Sequence, residues 1–147
     1  MEFEKYEKRT ACTLWHELCC LEHGVKAKGV RIPHCKGCRP RDKKCSFLKK
    51  KCDLLLNNAV DFCYECKDFT NESLKHLDKR YRTFFHMSFI ENLNFIKEHG
   101  VRKFLEIQRE KWECTDCGKV ICCHNGICFS CSLDQLKNKK NLYRWKD

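Results

Sequence analysis

No stretch of this chain approaches the roughly 20 uninterrupted apolar residues that a membrane-spanning helix requires. Its first nine residues, Met1 to Arg9, contain no apolar run of the kind a secretory leader uses. A cytoplasmic chain with reduced thiols is therefore expected, and a disulfide framework is disfavoured. No internal repeat is evident, and no motif of the known nucleic-acid recognition folds is present. No Glu stands in a zinc-hydrolase motif, and no small-molecule substrate or catalytic residue is indicated.

What the chain has is cysteine, 15 among 147 residues, an odd number that also argues against complete disulfide pairing. Eight of these form four Cys-x-x-Cys pairs: Cys35/Cys38, Cys63/Cys66, Cys114/Cys117 and Cys128/Cys131. Two intervening residues let both sulfurs of a pair face one ion from a tight turn, and two pairs complete a tetrahedral thiolate site. Buried free cysteines would not produce such paired spacing. A chain with small subdomains needs staples of some kind, and metal ions are the kind a reducing compartment leaves available.

The formal charge of +10 counts every cysteine as neutral. A four-thiolate zinc site carries about −2 overall, so three such sites would bring the total to roughly +4. The global excess is thus a weak nucleic-acid signal, and the local distribution is more informative.

Three segments follow from composition. Residues 1–69 form a Cys-rich metal-binding segment, 70–112 a cysteine-free helical segment, and 113–147 a zinc-ribbon-like segment with a basic tail. The expected fold class is a small, metal-organised α+β fold: short helices and loops first, then central helices, then a zinc ribbon or knuckle. Near the start, Cys12, His16, Cys19, Cys20 and His23 recur at helical spacing. In the middle, Thr70 is the expected cap of a helix carrying Leu74, Leu77 and Tyr81, with Phe69 and Leu74 stapling its start. Ser88 and Glu91 form a capping box for a second helix presenting Ile90, Leu93 and Ile96 and ending at Gly100. A third helix from about Val101 brings round Phe104, Leu105, Gln108 and Trp112. These helices are expected to supply the apolar mass on which the metal-bound loops pack.

Cys114-Thr115-Asp116-Cys117-Gly118 is the clearest motif, because glycine after the second cysteine lets the turn close with N–H groups aimed at the thiolates. With Cys128 and Cys131 it completes Cys-x2-Cys-x10-Cys-x2-Cys, a closed structural site of zinc-ribbon type. Cys122 and Cys123 between the halves are expected to line the small core, and His124 to hydrogen-bond a thiolate.

The first segment offers Cys12, His16, Cys19, Cys35, Cys38, Cys45, Cys52, Cys63 and Cys66 as metal ligands. Cys35 to Cys52 share the spacing of the fungal Zn2Cys6 regulators, but Leu55 stands where their next ligand would be. Cys12, His16 and Cys19 have the spacing of the iron–sulfur motif of radical enzymes, but the middle position is His and the chain is too short for their barrel. A better match runs through Cys35-Lys36-Gly37-Cys38-Arg39, Cys45, Cys52 and Cys63-Tyr64-Glu65-Cys66-Lys67-Asp68-Phe69. It continues through Trp112-Glu113-Cys114-Thr115-Asp116-Cys117-Gly118, His124 and Cys128 to Cys131. This pattern resembles an uncharacterised family of cysteine-rich prokaryotic proteins, a domain of unknown function, with a zinc-ribbon-like C-terminal extension. The resemblance implies metal binding and no particular activity. Thr13 and His16 depart from the family's opening motif, and His16 moves the expectation toward zinc.

Between Lys36 and Lys51 there are eight basic residues and one acid, threaded through Cys38 and Cys45. A loop shaped by metal could neutralise phosphates without reading sequence, with Arg39, Arg41, Lys43 and Lys44 as candidate contacts. Lys137, Lys139, Lys140, Arg144 and Lys146 form a second basic group beside Tyr143 and Trp145, aromatics able to stack on unpaired bases. The sequence therefore points to a zinc protein with two or three ions, binding nucleic acid or another protein. An iron–sulfur cluster in the first segment is the alternative.

Overall fold

The computed structural model describes residues 52–69, 71–141 and 143–146. The helix expected over residues 12–23 lies outside them, as do Cys12, His16, Cys19, Cys35, Cys38, Cys45, Arg39, Arg41, Lys43 and Lys44. The described part is mostly helical. It contains α1 (Asp53–Leu56), α2 (Glu72–Phe84) and α3 (Phe89–Lys111), with 3-10 turns at Cys63–Glu65 and Leu133–Asn138.

The cap of α2 is displaced by one residue from the expectation at Thr70. Asn71 adopts the extended cap conformation, and its Oδ1 accepts the Leu74 N–H at 3.0 Å. Asn is at least as good a cap as Thr, since its side chain reaches the same orphan donor. At Ser88 half of the expected capping box is realised: its Oγ accepts the Glu91 N–H at 3.1 Å. The Glu91 carboxylate is paired with Arg82 at 3.1 Å. Helix α3 is broken where the sequence places a terminator: Gly100 has φ 84° and ψ 162°, a region in which only glycine is unstrained.

Tyr81 lies at the half-buried edge of α2, while Leu74 and Leu77 are buried with Leu93, Ile96, Phe104, Leu105 and Trp112 of α3 and its end. This cluster continues without interruption into Val120, Cys122, Cys123, Ile127 and Phe129 of the C-terminal segment. The helices thus supply the apolar mass on which the cysteine-bearing turns sit. The α+β expectation is not supported. Among the described residues there are no strands, only two isolated antiparallel bridges, Glu113 with Val120 and Ile121 with Cys128. The cause is local. The N–H of Gly118 closes onto the Cys114 carbonyl and that of Gly126 onto the Cys122 carbonyl, at 2.8 and 2.7 Å. Each turn uses backbone groups that a longer ladder would have needed.

One buried charge fastens α2 to α3. Asp78 is 5% exposed. Its Oδ1 accepts the Ser88 hydroxyl at 2.7 Å and the Ile90 N–H at 2.9 Å, and Oδ2 accepts Arg82 Nε at 2.6 Å. Burial alone would raise its pKa; the Ile90 N–H, the Ser88 hydroxyl and Arg82 outweigh this and hold the carboxyl below its usual range. The carboxylate also sits at the positive end of α3, where the helix dipole favours it.

Asp78→Ala should therefore destabilise the chain by about 3 kcal/mol in urea unfolding, because it orphans a buried hydroxyl and an N–H. Asp78→Asn, which keeps an acceptor, should cost less. Because the folded-state pKa is depressed, this contribution is complete above about pH 4 and is lost as pH falls through the lowered value. Wild type should accordingly lose stability in acid more steeply than Asp78→Asn; equal slopes would contradict this role.

Candidate metal centre

Two turns of one design carry the four C-terminal ligand candidates. In the first, the Cys114 N–H donates to the Lys119 carbonyl at 2.7 Å and the Gly118 N–H returns to the Cys114 carbonyl. Gly118 has φ 70°, so the expected role of glycine in closing the turn is realised. Arg109 of α3 donates to the Gly118 carbonyl at 2.8 Å, tying the turn to the helix. In the second, the Ser132 N–H closes onto the Cys128 carbonyl at 2.9 Å. The Ile121–Cys128 bridge places the two turns face to face.

Their sulfurs converge. Cys114, Cys117, Cys128 and Cys131 have Sγ atoms all within 4.8 Å of one another. Cys117 and Cys128 approach to 3.5 Å and Cys114 and Cys131 to 3.7 Å. A disulfide would need about 2.05 Å, so these are separate thiols. Four sulfurs each about 2.3 Å from a central ion stand about 3.8 Å apart at the corners of a tetrahedron. The group is positioned to hold one metal ion. Among the described residues it is the only such group. Cys114 and Cys128, the first of each pair, are buried, whereas Cys117 and Cys131 are exposed.

The electrostatics suit a cation. N–H groups of Asp116 and Cys117 donate to the Cys114 sulfur and lower its pKa to about 7. Burial pushes the Cys128 thiol up to about 12, although the N–H groups of Cys131 and Ser130 favour its thiolate. The Cys131 thiol is also raised. Four thiolates this close repel one another, and a shared cation removes the repulsion.

The remaining candidates are arranged differently. Cys52, Cys63 and Cys66 line one cavity of about 780 Å³, with Asp53, Asp68 and Glu72 also in its wall. The Cys66 sulfur accepts the Asp68 N–H at 3.4 Å. These three are brought to one concavity without forming the tight grouping seen at the C-terminal end. Cys122 and Cys123 are buried in the core, as expected. His124 lies among Tyr81, Phe85 and Tyr143, with Nε2 3.5 Å from the Tyr81 hydroxyl and Nδ1 3.9 Å from the Cys123 sulfur. It is thus a neighbour of a core thiol.

The tail corrects the reading of Trp145 as a free stacking aromatic. Its indole N–H donates to the Cys123 carbonyl at 2.7 Å, and its ring lies against the core beside His86 and Trp112. Lys139 Nζ donates to the Trp145 carbonyl at 3.1 Å, and the Arg144 guanidinium lies 3.4 Å from the Phe84 ring centre. The spacing of Cys123 and Trp145, 22 positions apart, gave no signal of this contact. Asp78 was missed as well, although Arg82 four residues later is a helical ion-pair signal.

No family model, no curated protein and no solved structure matches this chain. No described helix is long and apolar enough to cross a membrane.

Cys114→Ser and Cys128→Ser should each abolish one ion's binding, and chelation should lower the melting temperature of wild type by more than that of either variant. Cys128 and Cys131, both raised above 9.0, must each lose a proton to bind. Affinity in chelator competition should therefore weaken at least about 100-fold for each unit the pH is lowered between 8 and 6. A pH-independent affinity would contradict ligation by these thiols.

Proposed function

We propose that this chain is a zinc-stabilised binding module whose partner is nucleic acid. The observation that carries the metal reading is the convergence of four cysteine sulfurs within 4.8 Å of one another. Zinc is favoured because such a site is closed: four soft donors satisfy the ion, leaving no position for substrate, as in structural rather than catalytic centres. An iron–sulfur cluster would place several irons between its ligands and hold the sulfurs further apart, so its fit here is poorer. The pair of glycine- and serine-closed turns supports a ribbon- or knuckle-like centre, tied by short bridges instead of strands.

A second zinc, or two, is assigned to the first segment. Cys52, Cys63 and Cys66 on their shared cavity would join ligands drawn from Cys12, His16, Cys19, Cys35, Cys38 and Cys45. There an iron–sulfur cluster remains the second reading, because such clusters are also held by cysteine thiolates. The likeness to the cysteine-rich prokaryotic family and a cytoplasmic setting agree with reduced, metal-bound thiols.

Two basic regions support the nucleic-acid reading over a protein partner. Arg39, Arg41, Lys43 and Lys44 fall between candidate ligands, where a bound ion would fix the loop. At the other end Lys137, Lys140 and Lys146 are exposed, and Tyr143, 40% exposed, is the tail aromatic turned toward solvent. Cations around an aromatic face bind single strands through phosphate neutralisation and base stacking, without sequence reading.

Protein purified without oxygen should be colourless and carry two or three zinc ions per chain; brown protein with iron and sulfide would instead establish the second reading for the first segment. Binding to single-stranded RNA should weaken steeply with salt. Reversing the charges of Arg39, Lys43 and Lys44 should weaken it at least tenfold with zinc content unchanged. Equal affinity after reversal would remove that loop from the interface.

A further inference from the structure

The turn joining the two halves of the metal centre has no ligand of its own. Residues 122–126 link the Cys114/Cys117 half to the Cys128/Cys131 half, and their shape decides how the halves face each other. The Cys122 N–H donates to the Ile127 carbonyl at 2.9 Å, and Gly126 closes onto Cys122. Asn125, 3% exposed, accepts the Ile127 N–H through Oδ1 at 3.1 Å. The turn thus repeats the form of the Cys114–Gly118 turn, with Asn125 in the position of the second cysteine. An ion would brace the other turn; this one has no ligand to offer, and a further contact braces it from outside.

That contact comes from the tail. Trp145 donates its indole N–H to the Cys123 carbonyl inside the turn at 2.7 Å. Its ring lies so close over Gly126 that a Cβ there would come within 2.6 Å of it, and Gly126 has φ +71°. Lys139 holds the Trp145 carbonyl, and Arg144 stacks on Phe84 of α2. The strap is therefore fastened on both sides of the indole, to the 3-10 turn's end and to the helical scaffold.

We infer that Trp145 is a positioning residue for the metal centre: by clamping the Cys122–Gly126 turn, the C-terminal strap holds the two cysteine pairs at ligating distance. The inference rests on the four-sulfur reading of Cys114, Cys117, Cys128 and Cys131. Ligand pairs that are already juxtaposed lose little freedom when the ion arrives, so clamping raises affinity without adding a ligand. Residues that orient metal ligands from outside the coordination sphere commonly matter by about 10–100-fold in affinity. Coupling of this kind is reciprocal: what the strap contributes to metal affinity, the metal contributes to strap docking.

The test uses the full chain and the ion that Cys114→Ser loses. Trp145→Ala should weaken that ion's affinity about 10–100-fold in chelator competition and speed its release, with the other ions unaffected. Trp145→Phe, which keeps ring packing but has no N–H, should fall between wild type and Trp145→Ala. Gly126→Ala, which displaces the ring from the other side, should resemble Trp145→Ala. The reciprocal arm needs no variant: metal removal should speed tryptic cleavage after Lys139, Lys140, Arg144 and Lys146 at least tenfold. Affinity and release unchanged within twofold in both Trp145 variants, or tail cleavage indifferent to metal, would overturn the inference. Retention of every ion by Cys114→Ser would overturn the four-sulfur reading itself, and the role of Trp145 with it.

Discussion

Four ionisable sulfurs held within 4.8 Å of one another are the constraint on which the C-terminal half is built. Such a group has few acceptable states. Fully deprotonated and empty, it is a knot of like charges; protonated, it wastes the N–H groups that Asp116 and Cys117 direct at Cys114. A shared cation resolves both problems, because it neutralises the repulsion and lets each sulfur accept its N–H donors as a thiolate. The turn geometry, the left-handed Gly118 and the anchoring by Arg109 all serve this convergence.

The helices matter because a 35-residue, cysteine-rich segment has little apolar area with which to hold itself. Trp112, Val120, Ile127 and Phe129 join the core formed by α2 and α3, so the metal turns are mounted on a scaffold that Asp78 stitches together. Two polar devices thus act at different places. A buried carboxylate fixes helix to helix, and a cluster of thiols fixes turn to turn. One continuous apolar core lies between them.

Much of this was legible in the residues. Helical periodicity found α2, both halves of α3 and the break at Gly100, because each depends on local backbone preference and one apolar face. The Cys-x2-Cys-x10-Cys-x2-Cys spacing found the sulfur group, because the geometry of a thiolate turn needs only a few adjacent residues. What escaped depends on distance along the chain. Asn71 took the cap from Thr70 because two good capping residues are adjacent and packing chooses between them. The strands expected of a ribbon are reduced to single bridges because the turns claim their backbone groups. Trp145 looked like a surface aromatic; its partner is a carbonyl 22 residues earlier, which no periodicity encodes.

X-ray absorption at the zinc edge of the full chain, compared between wild type and a Cys117→Ser/Cys128→Ser variant, tests the central claim most directly. The account predicts that wild type shows zinc–sulfur scattering at about 2.3 Å, and that the variant loses one four-sulfur zinc from the averaged spectrum while the rest persists. A spectrum and zinc content identical in the two proteins would contradict it, since the four sulfurs would then be close neighbours that hold nothing.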